Sequence, residues 1–252
     1  MGTQPAPAAS PAPPVEPAPS FADTLGSLYV SPREGFERAL KKSFWPALIA
    51  SLVFNLAFTA VWVSRVNKKE FMEAQLEESP RAQNMSADQR ERVVEMQSRF
   101  LPVFAWVGAL VFGPLTSVII AASFLLVFRF FYGADVTFRQ ALTVVCWAML
   151  AWGLVHGVLT MIILFLKGDW SINPETALQA SPAALVERAT VARPLYVLLN
   201  SLDLFSFWLV GLFAAGFGVA SRRTTAAAAG GVLALWAVYV LIKVGWTAVF
   251  SG

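Results

Sequence analysis

A single cysteine, Cys146, and a single histidine, His156, are all that this chain of 252 residues carries of the two side chains that most often bind metals or act as catalysts. That inventory excludes a disulfide framework and leaves no set from which a zinc site or a Cys-His pair can be assembled. There is no G-x-S-x-G elbow, and the G-x-G at Gly216 and Gly218 ends an apolar run instead of joining a strand to a helix, so it reads as packing glycine. Charge is scarce too, at 14% of residues, and it forms no basic stripe suited to nucleic acid. The expectation is a protein with no enzymatic activity, no cofactor, no metal and no nucleic-acid partner.

What the chain has instead is apolar mass in long blocks: 57% hydrophobic residues, with nine Trp and twenty Phe. The blocks lie at 46–64, 101–131, 141–166, 195–220 and 226–249, and each meets the roughly 20 residues that a helix needs to cross about 30 Å of hydrocarbon. Lipid offers no partner to a bare backbone amide, so such blocks cross as helices. The predicted fold is all-α, a polytopic transmembrane bundle of five spans occupying 46–251. Gly113 and Pro114 predict a kink in the second span.

The flanks differ from the spans. Residues 1–20 are almost all Pro, Ala and Ser, which predicts a disordered tail without the basic start and apolar stretch of a secretion signal. Residues 21–45 read as an amphipathic elbow. Ser31, Pro32 and Glu34 supply a cap, a first-turn proline and a capping-box acid, Phe36 marks the apolar side, and Lys41 and Lys42 stand ready for anionic headgroups. Residues 65–100 carry seven basic and seven acidic residues, with Ser79-Pro80 as a break and Ser86 with Gln89 as a second capping box, which predicts a neutral helical hairpin outside the membrane. A further short surface helix is expected within 180–188. Basic residues are densest beside the elbow and the two short turns, so the N-terminus is placed in the cytosol and the C-terminus outside.

Four polar residues interrupt the apolar blocks: Asn55, His156, Asp203 and Lys243. Each is costly in lipid and therefore informative. Ser51, Asn55, Thr59 and Trp62 share one helical face, Gly153, His156 and Thr160 another, and Asn200, Asp203, Phe207, Gly211, Ala214 and Gly218 a third, the faces on which spans meet. Counted from the outer ends, the four lie roughly 9 to 15 Å deep, which predicts one polar layer centred on Asp203 and paired with His156 or Lys243.

Three stretches together resemble the Yip family of five-span membrane proteins, named for interaction with Ypt and Rab GTPases. They are LYVSPREGFERALKKSFWPALIASL, FYGADVTFRQALTVVCWAML and PLYVLLNSLDLFSFWLVGLFAAGFGV. Ser31-Pro32 with Phe36 resembles the family's pre-membrane proline and aromatic. Gly133, Val136, Phe138 and Ala141 resemble its entry to span three, and Asp203, Phe205 and Trp208 its start of span four. The resemblance implies five helices, a cytosolic N-terminus, no catalysis and a prokaryotic-type member seated in the cytoplasmic membrane. It alone implies a GTPase partner. Two functional readings follow. The first is a protein that organises the bilayer or partner proteins, a homo-oligomer included, in a trafficking-like or membrane-shaping role. The second is a carrier or lipid-handling protein whose polar layer lines a route.

Overall fold

The computed structural model describes residues 19–250 except 78, 80, 81, 83, 84, 179 and 187–189, so most of the expected tail and Pro80 lie outside the described residues. The described residues fold as helices joined by short turns: α1 (Phe21–Val30), α2 (Pro32–Lys41), α3 (Trp45–Arg65), α4 (Lys68–Glu77), α5 (Ala87–Val107), a π-helical turn (Gly108–Phe112), α6 (Gly113–Phe130), α7 (Phe138–Lys167), α8 (Pro174–Ala177), a 3-10 turn (Pro182–Leu185), α9 (Arg193–Ser201), α10 (Leu204–Ala220) and α11 (Thr225–Phe250). Four passes are long and apolar enough to cross a membrane: α3, the run from α5 through α6, α7 and α11. α9 and α10, bent by 51° at their junction, meet the same length and hydropathy when taken together, which gives four to five spans. The chain is a multi-pass integral membrane protein with an all-α bundle.

α7 is the axis of the bundle. Thr137 caps it by a reciprocal bond with Gln140, and Gly168, at φ +66°, ends it in the left-handed conformation that glycine adopts without penalty. Its 30 residues span about 45 Å. α3, α6 and α10 all pack on it, and α11 covers α10. Residues 141–148 of α7 are all buried. Gly133, at φ +57°, turns the chain into α7, with the Ala134 amide donating to the Phe128 carbonyl at 3.0 Å and Val136 wholly buried. Phe138, the first residue of α7, is exposed.

The elbow departs from expectation in two ways. First, it is a hairpin of two helices. α1 starts at a capping box between Ser20 and Asp23, and the bonds from Ser20 hold the Asp23 carboxyl below the usual carboxylate range. Pro32 opens α2 as expected, but the Ser31 side chain makes no capping bond, so the anticipated box with Glu34 does not form. Second, its apolar side is buried in protein and not in headgroups. Leu28, Phe36 and Ala39 have no exposed surface, and α2 lies against α7 and α10. The physical reason is a step in the bundle. Trp147 Nε1 donates to the Ser43 carbonyl at 3.1 Å, and Trp147 is nine residues, or about 14 Å, into α7. α3 therefore starts well above the start of α7, and the hairpin fills the space beside the overhang. Lys41 and Lys42 remain at its polar margin, with Lys41 exposed and Lys42 half-buried.

The two ends of the bundle are chemically distinct. At one, Arg33 donates to the Arg223 carbonyl and Arg223 to the Tyr132 carbonyl, at 3.1 and 2.7 Å, joining the elbow to both short turns. At the other, the Arg65 guanidinium lies over Phe165 and Trp170, and Trp62, Val66, Phe71, Leu101 and Leu164 form a second apolar cluster beneath the pair α4 and α5. The second arm of this hairpin does not stop at the membrane. α5, the π turn and α6 run on as 44 helical residues, about 66 Å. Where a kink is expected the helix carries the π turn: Pro114 offers no amide to the Leu110 carbonyl, and the ladder widens by one residue just before it.

Candidate functional site

Where Pro114 loosens the ladder, the bundle does not close. A half-open cavity of about 510 Å³ lies between α3, the π turn with the start of α6, and α7. α3 contributes Ser51 and Asn55, one turn apart; α6 contributes Thr116 and Ser117; α7 contributes Trp152, His156 and Thr160, at intervals of four that put all three on one face. Gly153 and Gly157, alternating with them, keep that face low. Among the described residues Glu175, from α8, is the charged lining residue, and no Lys or Arg takes part.

The hydrogen bonding of this wall is incomplete. Among the described residues the buried polar side-chain atoms without a partner in the protein are Ser51 Oγ, Trp62 Nε1, Trp152 Nε1 and Thr160 Oγ1. Three of the four line the cavity, and Thr160 is only 2% exposed. Others on the wall are satisfied within their own helices: Asn55 Nδ2 donates to the Ser51 carbonyl at 2.9 Å, and Ser117 Oγ to the Gly113 carbonyl at 3.0 Å. The His156 ring stacks on Trp152 and meets Phe205 edge-on, with centroids 4.8 and 5.5 Å apart.

The four polar residues of the expected layer thus separate. Asn55 and His156 share the cavity, whereas Asp203 and Lys243 do not line it. Asp203 does not sit inside a continuous helix, as the 195–220 span had it; it is the N-cap of α10 at the bend. Its Oδ1 accepts from the Phe205 and Ser206 amides at 2.8 and 3.2 Å. Its Oδ2 accepts from the Ala180 amide at 3.2 Å. The Leu204 amide donates back to the Ala180 carbonyl at 3.1 Å, and Ser181 Oγ bonds Asn200 Oδ1 at 3.4 Å, so the 180–181 segment plugs the break. These backbone donors, not His156 or Lys243, make the hydrogen bonds of the carboxylate, although its charge lies within Coulombic reach of His156. The bend also splits the face drawn from Asn200 to Gly218. Lys243 is exposed on α11, its ammonium 6.0 Å from the Tyr239 ring centre. Trp208 stacks on Tyr29, whose hydroxyl donates to the Ala151 carbonyl at 2.9 Å, so the family-like tryptophan joins α10 to the elbow. Gly216 is packing glycine: a side chain there would strike Val144 and Phe36.

Sequence reasoning placed Ser51 and Thr160 on inward faces without joining them. It missed Trp152, Thr116 and Ser117. The legible signal was Thr116-Ser117 following Gly113-Pro114, polar residues at the point where a proline opens the ladder.

The Yip1 domain family profile matches residues 25–247, nearly the whole chain. No curated protein and no solved structure matches it. The chain belongs to the Yip1 domain family.

Proposed function

We propose that this Yip1-family protein is a non-enzymatic component of its membrane that organises the bilayer by holding lipid inside its bundle. The observation that supports this is the cavity with three buried polar atoms unpartnered by protein. In a bilayer an unsatisfied hydrogen-bonding group costs several kcal/mol, so such a wall calls for a polar occupant. The occupant must arrive through hydrocarbon or through the half-open mouth, and a lipid does the first without leaving its solvent. The density of basic residues around the elbow and short turns supports a cytosolic position for that end. The test is retention. Full-length protein is washed extensively in detergent and its bound lipid counted by mass spectrometry. About one lipid per chain is expected, with most of it lost in the double variant Trp152→Phe/Thr160→Val. Equal, trace amounts in both proteins contradict the reading.

A second reading, a docking platform for partner proteins, is favoured by the rigid seating of the elbow. Its polar side presents Arg33, Glu34, Glu37, Arg38 and Lys41 in a fixed array. A GTPase remains the partner implied by family alone. Because Leu28 and Phe36 fill the core, removing residues 1–42 would uncover the bundle, so a surface exchange is the cleaner test. Glu34→Lys with Lys41→Glu, both exposed, should abolish cross-linking to specific partners while the melting temperature holds; unchanged cross-linking would dismiss the platform.

A further inference from the structure

The charge and shape of the cavity narrow its occupant, and we propose that it takes an uncharged lipid whose head carries hydroxyl and ester oxygens, of the diacylglycerol class. This rests on the lipid-holding reading above. The wall offers Trp152 Nε1, which only donates, and the hydroxyls of Ser51 and Thr160, which donate and accept. Ester carbonyls and a free hydroxyl answer that set. A phosphate does not, because no Lys or Arg among the described residues lines the cavity and Glu175 adds a negative charge. At about 510 Å³ the space corresponds to on the order of ten to twenty waters, well beyond a bridging water and suited to a glycerol head with its first carbons.

The acyl chains have a way out. An apolar groove of about 460 Å³ runs between α3 and α7, lined by Ala57, Val61, Val158, Met161 and Ile162 among others. It shares Phe54, Phe58 and Gly157 with the cavity. Between the two stands the Phe54 ring resting on Gly157, so close that a β-carbon at 157 would come within 2.6 Å of it. One aromatic ring over a glycine is a thin partition, and a ring that turns aside joins a polar pocket to a chain-sized groove.

The experiment uses the full chain in phosphatidylcholine nanodiscs with two probes, a diacylglycerol and a phosphatidylglycerol, each carrying a diazirine near the head. The diacylglycerol probe should label peptides around Ser51 and Thr160, with at least tenfold less labelling by the phosphatidylglycerol probe. Trp152→Phe/Thr160→Val should lower the labelling about tenfold for the loss of its two hydrogen-bonding groups, at an unchanged melting temperature. Ser51→Ala, on another helix, gives an independent decrease if the double variant does not fold. Equal labelling by both probes overturns the uncharged class while leaving a lipid site in place. Labelling no stronger than on the exposed α11 face at Ile242 overturns the lipid-holding reading itself. Labelling indifferent to all three substitutions removes the polar wall as its cause.

Discussion

Gly35 shows how closely the elbow is fitted. A β-carbon at that position would lie 2.8 Å from the Leu28 amide nitrogen and 3.0 Å from its α-carbon, backbone atoms that have no rotamer to change. α1 and α2 therefore cross in direct contact, and the hydrogen bond of 2.6 Å from Arg38 to Ser27 Oγ fixes their antiparallel register. Gly35→Ala is expected to lower stability by about 1 to 3 kcal/mol, the usual cost of forcing an extra carbon into a packed contact. Thermal unfolding in detergent checks this, and Gly26→Ala, where a β-carbon meets nothing within 4 Å, is the control that should change little. The same residue scale explains why the burial of Phe36 was not legible in advance. Its spacing with Leu40 marks an apolar side equally well whether lipid or protein covers it. The step between α3 and α7 decides the matter, and no local pattern records that step.

Among the elements, the pair α9 and α10 is the one that hydropathy misreads as a continuous span. An aspartate within an apolar run reads as a buried charge seeking a counterion. The capping rule reads the same residue as a helix start, since a side-chain oxygen at the N-cap takes the second and third amides of the following helix. The structure follows the capping rule: Asp203 accepts from Phe205 and Ser206, and its second oxygen pins Ala180. Asp203→Ala should cost about 1 to 2 kcal/mol through the lost cap and further through the freed 180–181 segment. Asp203→Asn, which keeps an accepting oxygen, should retain much of that. Amide exchange at Ala180, Phe205 and Ser206 tests the assignment. Faster exchange at all three in the alanine variant is expected; unchanged exchange would remove Asp203 from the role of cap. The other spans were legible because hydrocarbon sets a length that grease alone can meet. α1 was not, since ten residues interrupted by Gly26 give no sustained period.

At the scale of the whole molecule, a bundle with polar atoms at its seams divides them by how they are satisfied. Most of those described bond back to their own helix, as Asn55, Ser117, Ser201 and Thr247 do. Asp203 satisfies a break, and Lys243 faces outward. Among the described residues, three of the four buried side-chain polar atoms without a protein partner lie around the cavity, on two facing helices. The polar layer inferred from depth alone therefore resolves into one cavity and two unrelated devices. Depth along each helix was readable from residue counts, but rotation and the bend at Leu202 were not, and these decide which groups meet. The direct measurement is an experimental density map of the full chain in lipid nanodiscs. Elongated density is expected between Ser51, Trp152 and Thr160, continuing past Phe54 into the groove between α3 and α7. A collapsed seam, or isolated water peaks that bridge these three residues and end there, would contradict the lipid-holding reading.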